Sequence, residues 1–269
     1  MESENSSYLH KASEVYEHVW DQRDKRMDKY FVLSSPLVVI ALCSFYIIFS
    51  LYLGPRWMKN RPPYNIKPLV VVFNVLMIVL NAYLHIQGWR NGWSNYKLVC
   101  EPVDTSDSPY ALMISKLTYY YLLTKFFDWI DTLFFIMRKK FNHVSFLHVY
   151  HHTCMPLNTW PVARFLPGGH MTFPGLINTV IHVFMHTYYA LAAALGPKYQ
   201  KYLWWKKYIT RLQIFQFVFG LVYLLPLLHP NCGIPKTFLL YMFPQGMLFL
   251  FLFLNFYKHS YQPNRKKSN

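Results

Sequence analysis

Leu147-His148-Val149-Tyr150-His151-His152 places three histidines at i, i+3 and i+4 inside an otherwise apolar run. At about 3.6 residues per turn, a helix carries all three on one face. A lone histidine in a hydrophobic helix is usually a satisfied interior residue, whereas three on one face call for a cavity, a metal ion or a chemical task. Pro156 has no N–H, so the carbonyl of His152 loses its helical partner and the helix opens or kinks just after the cluster. A polar, distorted helix is tolerated in lipid where it lines a protein-enclosed cavity.

The chain around this stretch has 269 residues, 54% hydrophobic and 14% charged, with a formal net charge of +15. A soluble domain carries roughly 25% charged residues. The apolar residues come in long blocks separated by short basic loops, the layout of a polytopic membrane protein. The pattern predicts an all-α chain with seven spans: about 31–53, 68–86, 110–137, 144–160, 173–195, 209–228 and 238–257. Residues 1–30 are polar and are expected to form a loose amphipathic lumenal lead-in without a cleavable signal peptide. Residues 31–257 make the membrane domain, and 258–269 a basic tail. Gly54-Pro55 is expected to end the first span.

Charge sets the orientation. The loops after spans 1, 3 and 5 and the tail hold 16 Lys and Arg, against 4 in the other three loops. The positive-inside rule makes the richer set cytosolic, so the C-terminus is cytosolic and the N-terminus lumenal. The Asn5-Ser6-Ser7 sequon would then be usable. Because the basic residues sit beside the spans, they read as topology signals and lipid anchors, not as a nucleic-acid surface. Cys100 and Cys232 fall in two lumenal loops, where an oxidising compartment permits a disulfide between them. Cys154 is expected to be an inert packing residue.

Two acids lie within predicted spans, Asp128 and Asp131, and no acid follows them. A charge at mid-bilayer costs at least ~2.5–3.5 kcal/mol. Lys125, Asp128 and Asp131-Thr132 follow one another at helical spacing, so they form a polar wall along one helix face. An acid on that wall is suited to hold an imidazole in a fixed tautomer. The same spacing is equally that of a buried ion pair that only orders the bundle. Span 5 adds Asn178, His182 and His186, again on one face. Span 6 adds Arg211, Gln213 and Gln216 near its cytosolic end.

Two chemistries compete for this inventory. Histidines at i, i+3 and i+4, with His182 and His186, are spaced to ligate iron or zinc, as in membrane oxidases and desaturases. Those enzymes use about eight histidines in three clusters, and five are well placed here. The alternative is acyl transfer, in which one imidazole becomes a transient acyl-imidazole and its neighbours move protons. A seven-span receptor or transporter is a third class, but it has no need of three histidines on one face.

Four ordered blocks then resemble one family. They are Lys125-Phe126-Phe127-Asp128-Trp129-Ile130-Asp131-Thr132, the histidine stretch, Asn178-Thr179-Val180-Ile181-His182-Val183-Phe184-Met185, and Tyr202-Leu203-Trp204-Trp205-Lys206-Lys207. Together they resemble the very-long-chain fatty acid elongases over roughly 30–260. The resemblance implies a 3-ketoacyl-CoA synthase of the endoplasmic reticulum membrane that condenses acyl-CoA with malonyl-CoA, needs no cofactor and works beside the other enzymes of the elongation cycle. It implies seven helices, with spans 2–7 as an inverted barrel around an acyl tunnel, and His151 as nucleophile. His148 and His152 would assist, with Asp131 and Asp128 as their partners and Lys125 beside them, while His182 and Asn178 stabilise the oxyanion. Lys206, Lys207, Arg211, Arg138 and Gln213 become candidates for the CoA moiety. Lys266 and Lys267 resemble a dilysine retrieval signal. The family carries Glu where this chain has Asp128, and Tyr where it has His186.

Overall fold

Ser35 accepts the Leu37 N–H and Pro36 takes the first helical position, so the first long apolar helix starts there and not at Phe31. In the computed structural model, which describes residues 2–229 and 232–261, the chain is all-helical, with no strand among those residues. The α-helices are α1 (Glu2–Asp21), α2 (Pro36–Ile48), α3 (Gly54–Met58), α4 (Lys67–Gly88), α5 (Pro109–Phe127), α6 (Trp129–Met137), α7 (Phe146–Phe165), α8 (Phe173–Ala194), α9 (Lys206–Leu224) and α10 (Lys236–Tyr261). Ser108 and Ser145 cap α5 and α7 by accepting the Ala111 and His148 N–H groups.

Among the described residues, four helical stretches are long and apolar enough to cross a membrane: Pro36–Met58, Lys67–Trp93, Lys201–Leu228 and Lys236–Tyr261. The helices over predicted spans 3, 4 and 5 are not among them, because they carry the lysine, acids, asparagines and histidines singled out above.

Several boundaries differ from expectation. Gly54-Pro55 does not end the first helix: a wide π-turn over Phe49–Leu53 carries it on into α3. A Cβ on Gly54 would lie 2.9 Å from Ile136 Cδ1, so this glycine serves a close crossing with α6. Predicted span 3 is two helices, broken at Asp128. Pro161 does not end α7, which continues to Phe165. The lead-in contains a 20-residue helix, α1, where a loose segment was expected. Its Trp20 stacks on Trp160, and the buried Arg164 guanidinium lies 4.7 Å from the Trp20 ring and pairs with Asp28. Burial would raise the Asp28 carboxyl, but hydrogen bonds from Arg164 and Arg23 hold it below its usual value.

The helices close a cycle. α4 lies along α8, α8 against α9, α9 against α10, α10 against α7, α7 against α5, and α5 against α4. α2 packs outside, on α7. An apolar cavity of about 240 Å³ lies inside the cycle and is lined from all six helices. At one end Cys100 is joined to Cys232 by a disulfide, with Cα atoms 4.8 Å apart. The Cys100 N–H donates to His170 Nδ1 in the same region.

Candidate active site

On α7 the three histidines share one side but have different neighbours. The His148 and His152 rings lie 4.3 Å apart, tilted at 53° to each other, and His151 stands edge-on 5.3 Å from His152. His148 Nε2 is hydrogen-bonded to Thr132 Oγ1 at 2.7 Å, and Thr132 is bonded to the Tyr46 hydroxyl at 2.9 Å. His151 instead packs its ring on Phe249 and Phe253 of α10. Phe249 lines the cavity, as do Met155 and Asn158, which follow His151 at i+4 and i+7 on the same helical face. That face of α7 therefore runs from the cavity wall up to His151.

The carbonyl that Pro156 frees has a defined partner: Trp129 Nε1 donates to His152 O at 2.8 Å. The indole repairs the helix defect and locks the α6 start onto the histidine turn. Trp129→Phe should cost about 1–2 kcal/mol by leaving that carbonyl unpaired. A denaturation midpoint in detergent, set against a Trp89→Phe control on the exposed Trp89, would measure it.

Beside the histidines lies a polar group that is almost wholly buried. Lys125, Asp128, Asp131, Asn178, His182 and His186 are each 8% exposed or less. Asn178 Oδ1 accepts from Lys125 Nζ at 2.8 Å and from the Tyr121 hydroxyl at 2.9 Å, while its Nδ2 donates to Gln216 Oε1 at 3.2 Å. Lys125 Nζ is 3.8 Å from Asp128 Oδ2. Asp128 Oδ1 faces His182 Nδ1 at 3.8 Å and His186 Nε2 at 3.7 Å, too long for hydrogen bonds. The expected pairing of Asp128 with His148 and His152 is corrected: Asp128 faces α8, and the His148 ring is held by Thr132. The break at Asp128 turns its carboxylate toward α8 and leaves Thr132 opposite α7. Among the described residues, the one set of three converging His, Cys or acid ligand atoms is Asp128, His182 and His186. None of His148, His151 and His152 belongs to it, so a metal held by the histidine box itself has no such support.

The cationic candidates separate into two groups. Arg138 and Lys206, with Lys140, surround His143, whose imidazole lies below its ordinary value, first through partial burial and then through those positive charges. Lys207 and Arg211 lie over the Tyr208 ring, and Arg211 Nε donates to the Tyr257 hydroxyl at 2.7 Å. Gln213 is turned to Met185 Sδ at 3.7 Å. Lys266 and Lys267 lie outside the described residues. Cys154 is half-buried near Tyr150 and Gln245, and burial leaves no sign of a nucleophile's surroundings. Tyr121, Tyr46 and a role for His143 were missed from sequence, whereas Thr132 stood on the predicted polar wall. Asn74, also missed, had a readable signal as an amide within an apolar run.

The GNS1/SUR4 (ELO) family model matches residues 31–269, and the chain belongs to that family. It is similar to a very long chain fatty acid elongase of Aedes aegypti, 42% identical over 91% of this chain and 68% of that protein. It is also 42% identical to very long chain fatty acid elongase 7 of Drosophila melanogaster, over 90% and 74% of the two chains. Human very long chain fatty acid elongase 4 is 36% identical over 97% of this chain and 83% of its own.

Proposed function

We propose that this chain is the condensing enzyme of fatty acid elongation, joining a long-chain acyl-CoA to malonyl-CoA to give 3-oxoacyl-CoA, CO2 and CoA. The observation that carries this reading is the continuity of one α7 face from an apolar cavity to His151. An acyl chain is suited to that cavity. In the first half-reaction a His151 nitrogen attacks the thioester carbonyl, the C–S bond breaks, and the thiolate leaves with a proton passed through the neighbouring imidazoles. In the second, malonyl-CoA loses CO2 and its enolate attacks the acyl carbonyl. A C–C bond forms, the C–N bond breaks, and the departing nitrogen takes up a proton from solvent through the same neighbours, which restores the neutral imidazole. Thr132 and Tyr46 orient His148, a positioning task; Lys125 and Tyr121 orient Asn178, whose second amide hydrogen is left for an oxyanion. No redox step occurs, so the reaction calls for no cofactor.

The same reading places the chain in the endoplasmic reticulum membrane with seven spans, residues 31–257 as the catalytic domain, an inverted barrel made by α4–α10, and a cytosolic tail bearing Lys266 and Lys267. The helix cycle around the cavity and the family membership support it. Partner enzymes of the elongation cycle would meet its cytosolic face. Purified protein given acyl-CoA and labelled malonyl-CoA should release labelled 3-oxoacyl-CoA after chelator treatment. Label recovered only as unreacted malonyl-CoA would refute the reading.

The Arg138, Lys140 and Lys206 group is suited to CoA phosphates. A bound polyphosphate would offset the positive charge around His143 and raise its pKa. Binding then takes up a proton, so the acyl-CoA Kd should fall as pH drops from about 8 to about 6. Isothermal titration in two buffers of different ionisation enthalpy checks this, and His143→Gln should flatten the slope.

A further inference from the structure

Asp128 Oδ1, His182 Nδ1 and His186 Nε2 are buried and have no hydrogen-bond partner, yet they lie within 4.8 Å of one another. The tautomer of His186 can be worked out from its neighbours. Asn74 Nδ2 donates to Val70 O at 2.7 Å, which identifies the other amide atom as oxygen. That oxygen is 2.8 Å from His186 Nδ1 and can only accept, so Nδ1 carries the proton. In a neutral imidazole the lone pair is then on Nε2, aimed at a carboxylate oxygen 3.7 Å away. A buried carboxylate oxygen and an imidazole lone pair that face each other without a donor are costly, and a cation between them removes the cost.

We propose that Asp128, His182 and His186 form a binding site for one divalent first-row transition-metal ion, with zinc the best-matched. Two imidazoles and one carboxylate, with a fourth position open, is a donor set that zinc takes. Ligand atoms stand roughly 3.3 Å apart in a tetrahedral zinc site. The 3.7 and 3.8 Å separations are within half an ångström of that value, and the two imidazole nitrogens, which lie within 4.8 Å of each other, would close by up to about 1.5 Å. The Asn74 contact is the outer hydrogen bond that a metal-ligating histidine characteristically makes. Lys125 stands by the other carboxylate oxygen, leaving Oδ1 as a single donor. The site depends on His186, where the resembled family has Tyr. Loading it would withdraw His182 and Asp128 from acyl transfer, so the ion inhibits condensation. That consequence rests on the proposed function; the binding does not.

The test uses the full chain in detergent with a histidine-free affinity tag, stripped by chelator and titrated with Co2+. The expected result is one equivalent bound after gel filtration, with the visible bands of low-symmetry Co2+, bleached by Zn2+. His186→Tyr should abolish it, and His186→Gln, which keeps a donor toward Asn74, should do the same in case the tyrosine variant does not fold. Asn74→Leu should weaken binding about 10–100-fold, and His151→Ala should leave it intact. Undiminished binding in both His186 variants, or loss in His151→Ala, would overturn the site. Absence of Co2+ binding by the unaltered protein would also overturn it. Condensing activity is measured separately on the stripped protein, so failure of this site and failure of the proposed function are told apart.

Discussion

His151→Ala should lower kcat/KM for condensation by at least about 10³-fold, with the unfolding midpoint moved by no more than a few degrees. Loss of a covalent nucleophile removes the whole two-stage route and leaves only what binding and orientation supply. The fold is expected to tolerate the change because the His151 ring is only partly buried and meets Phe249 and Phe253 edgewise. His148→Ala should cost less, about 10²-fold, as expected for a proton-handling neighbour. Thr132→Val should fall in the same direction as His148→Ala, since it removes the hydroxyl that holds that ring. Single-turnover and steady-state rates with one acyl-CoA, measured across these variants, give the ranking. Equal losses at His151 and His148 would point to a paired role and not to one nucleophile.

The second large effect concerns stability. Lys125 is 1% exposed, its ammonium donates to Asn178, and it lies 3.8 Å from the Asp128 carboxylate. Lys125→Met should cost about 3–5 kcal/mol, because it leaves Asp128 buried without its neighbouring cation. Much of that cost is the penalty of the orphaned carboxylate. The double variant Lys125→Met/Asp128→Leu should therefore recover part of it. Reversible unfolding in mixed micelles, followed by helix content, measures both. A double variant as unstable as the sum of two singles would mean that the charges are independently held.

How much of this was legible in the chain follows from what helix periodicity encodes. It reports which side chains share a face, so the Lys125–Asp128 wall, the histidine face of α7 and the Asn178–His182 face were readable from spacing alone. It does not report which face lies opposite. The sequence-based reading paired the acids with His148 and His152, but the break at Asp128 points that carboxylate at α8. The partner of His148 is a threonine hydroxyl, a group too common in membrane helices to stand out. Pro156 was a sound signal of a freed carbonyl, yet nothing local names Trp129 as the donor that fills it. Gly54-Pro55 reads locally as a stop, and tertiary contact with Ile136 overrides it. α1 does carry an apolar stripe, with Tyr8, Val15, Tyr16, Val19 and Trp20 at helical spacing, and the density of acids and bases around that stripe led to the expectation of a loose segment.

The central claim is a covalent acyl group on α7. The most direct measurement incubates the purified protein with acyl-CoA and no malonyl-CoA, quenches it quickly in acid and weighs the intact chain. The account predicts a mass increase of one acyl group in place of a hydrogen, mapped by fragmentation to His151, absent from His151→Ala and discharged when malonyl-CoA is added before the quench. An adduct that persists in His151→Ala, or a protein that turns over while no adduct forms at any time point, would contradict it.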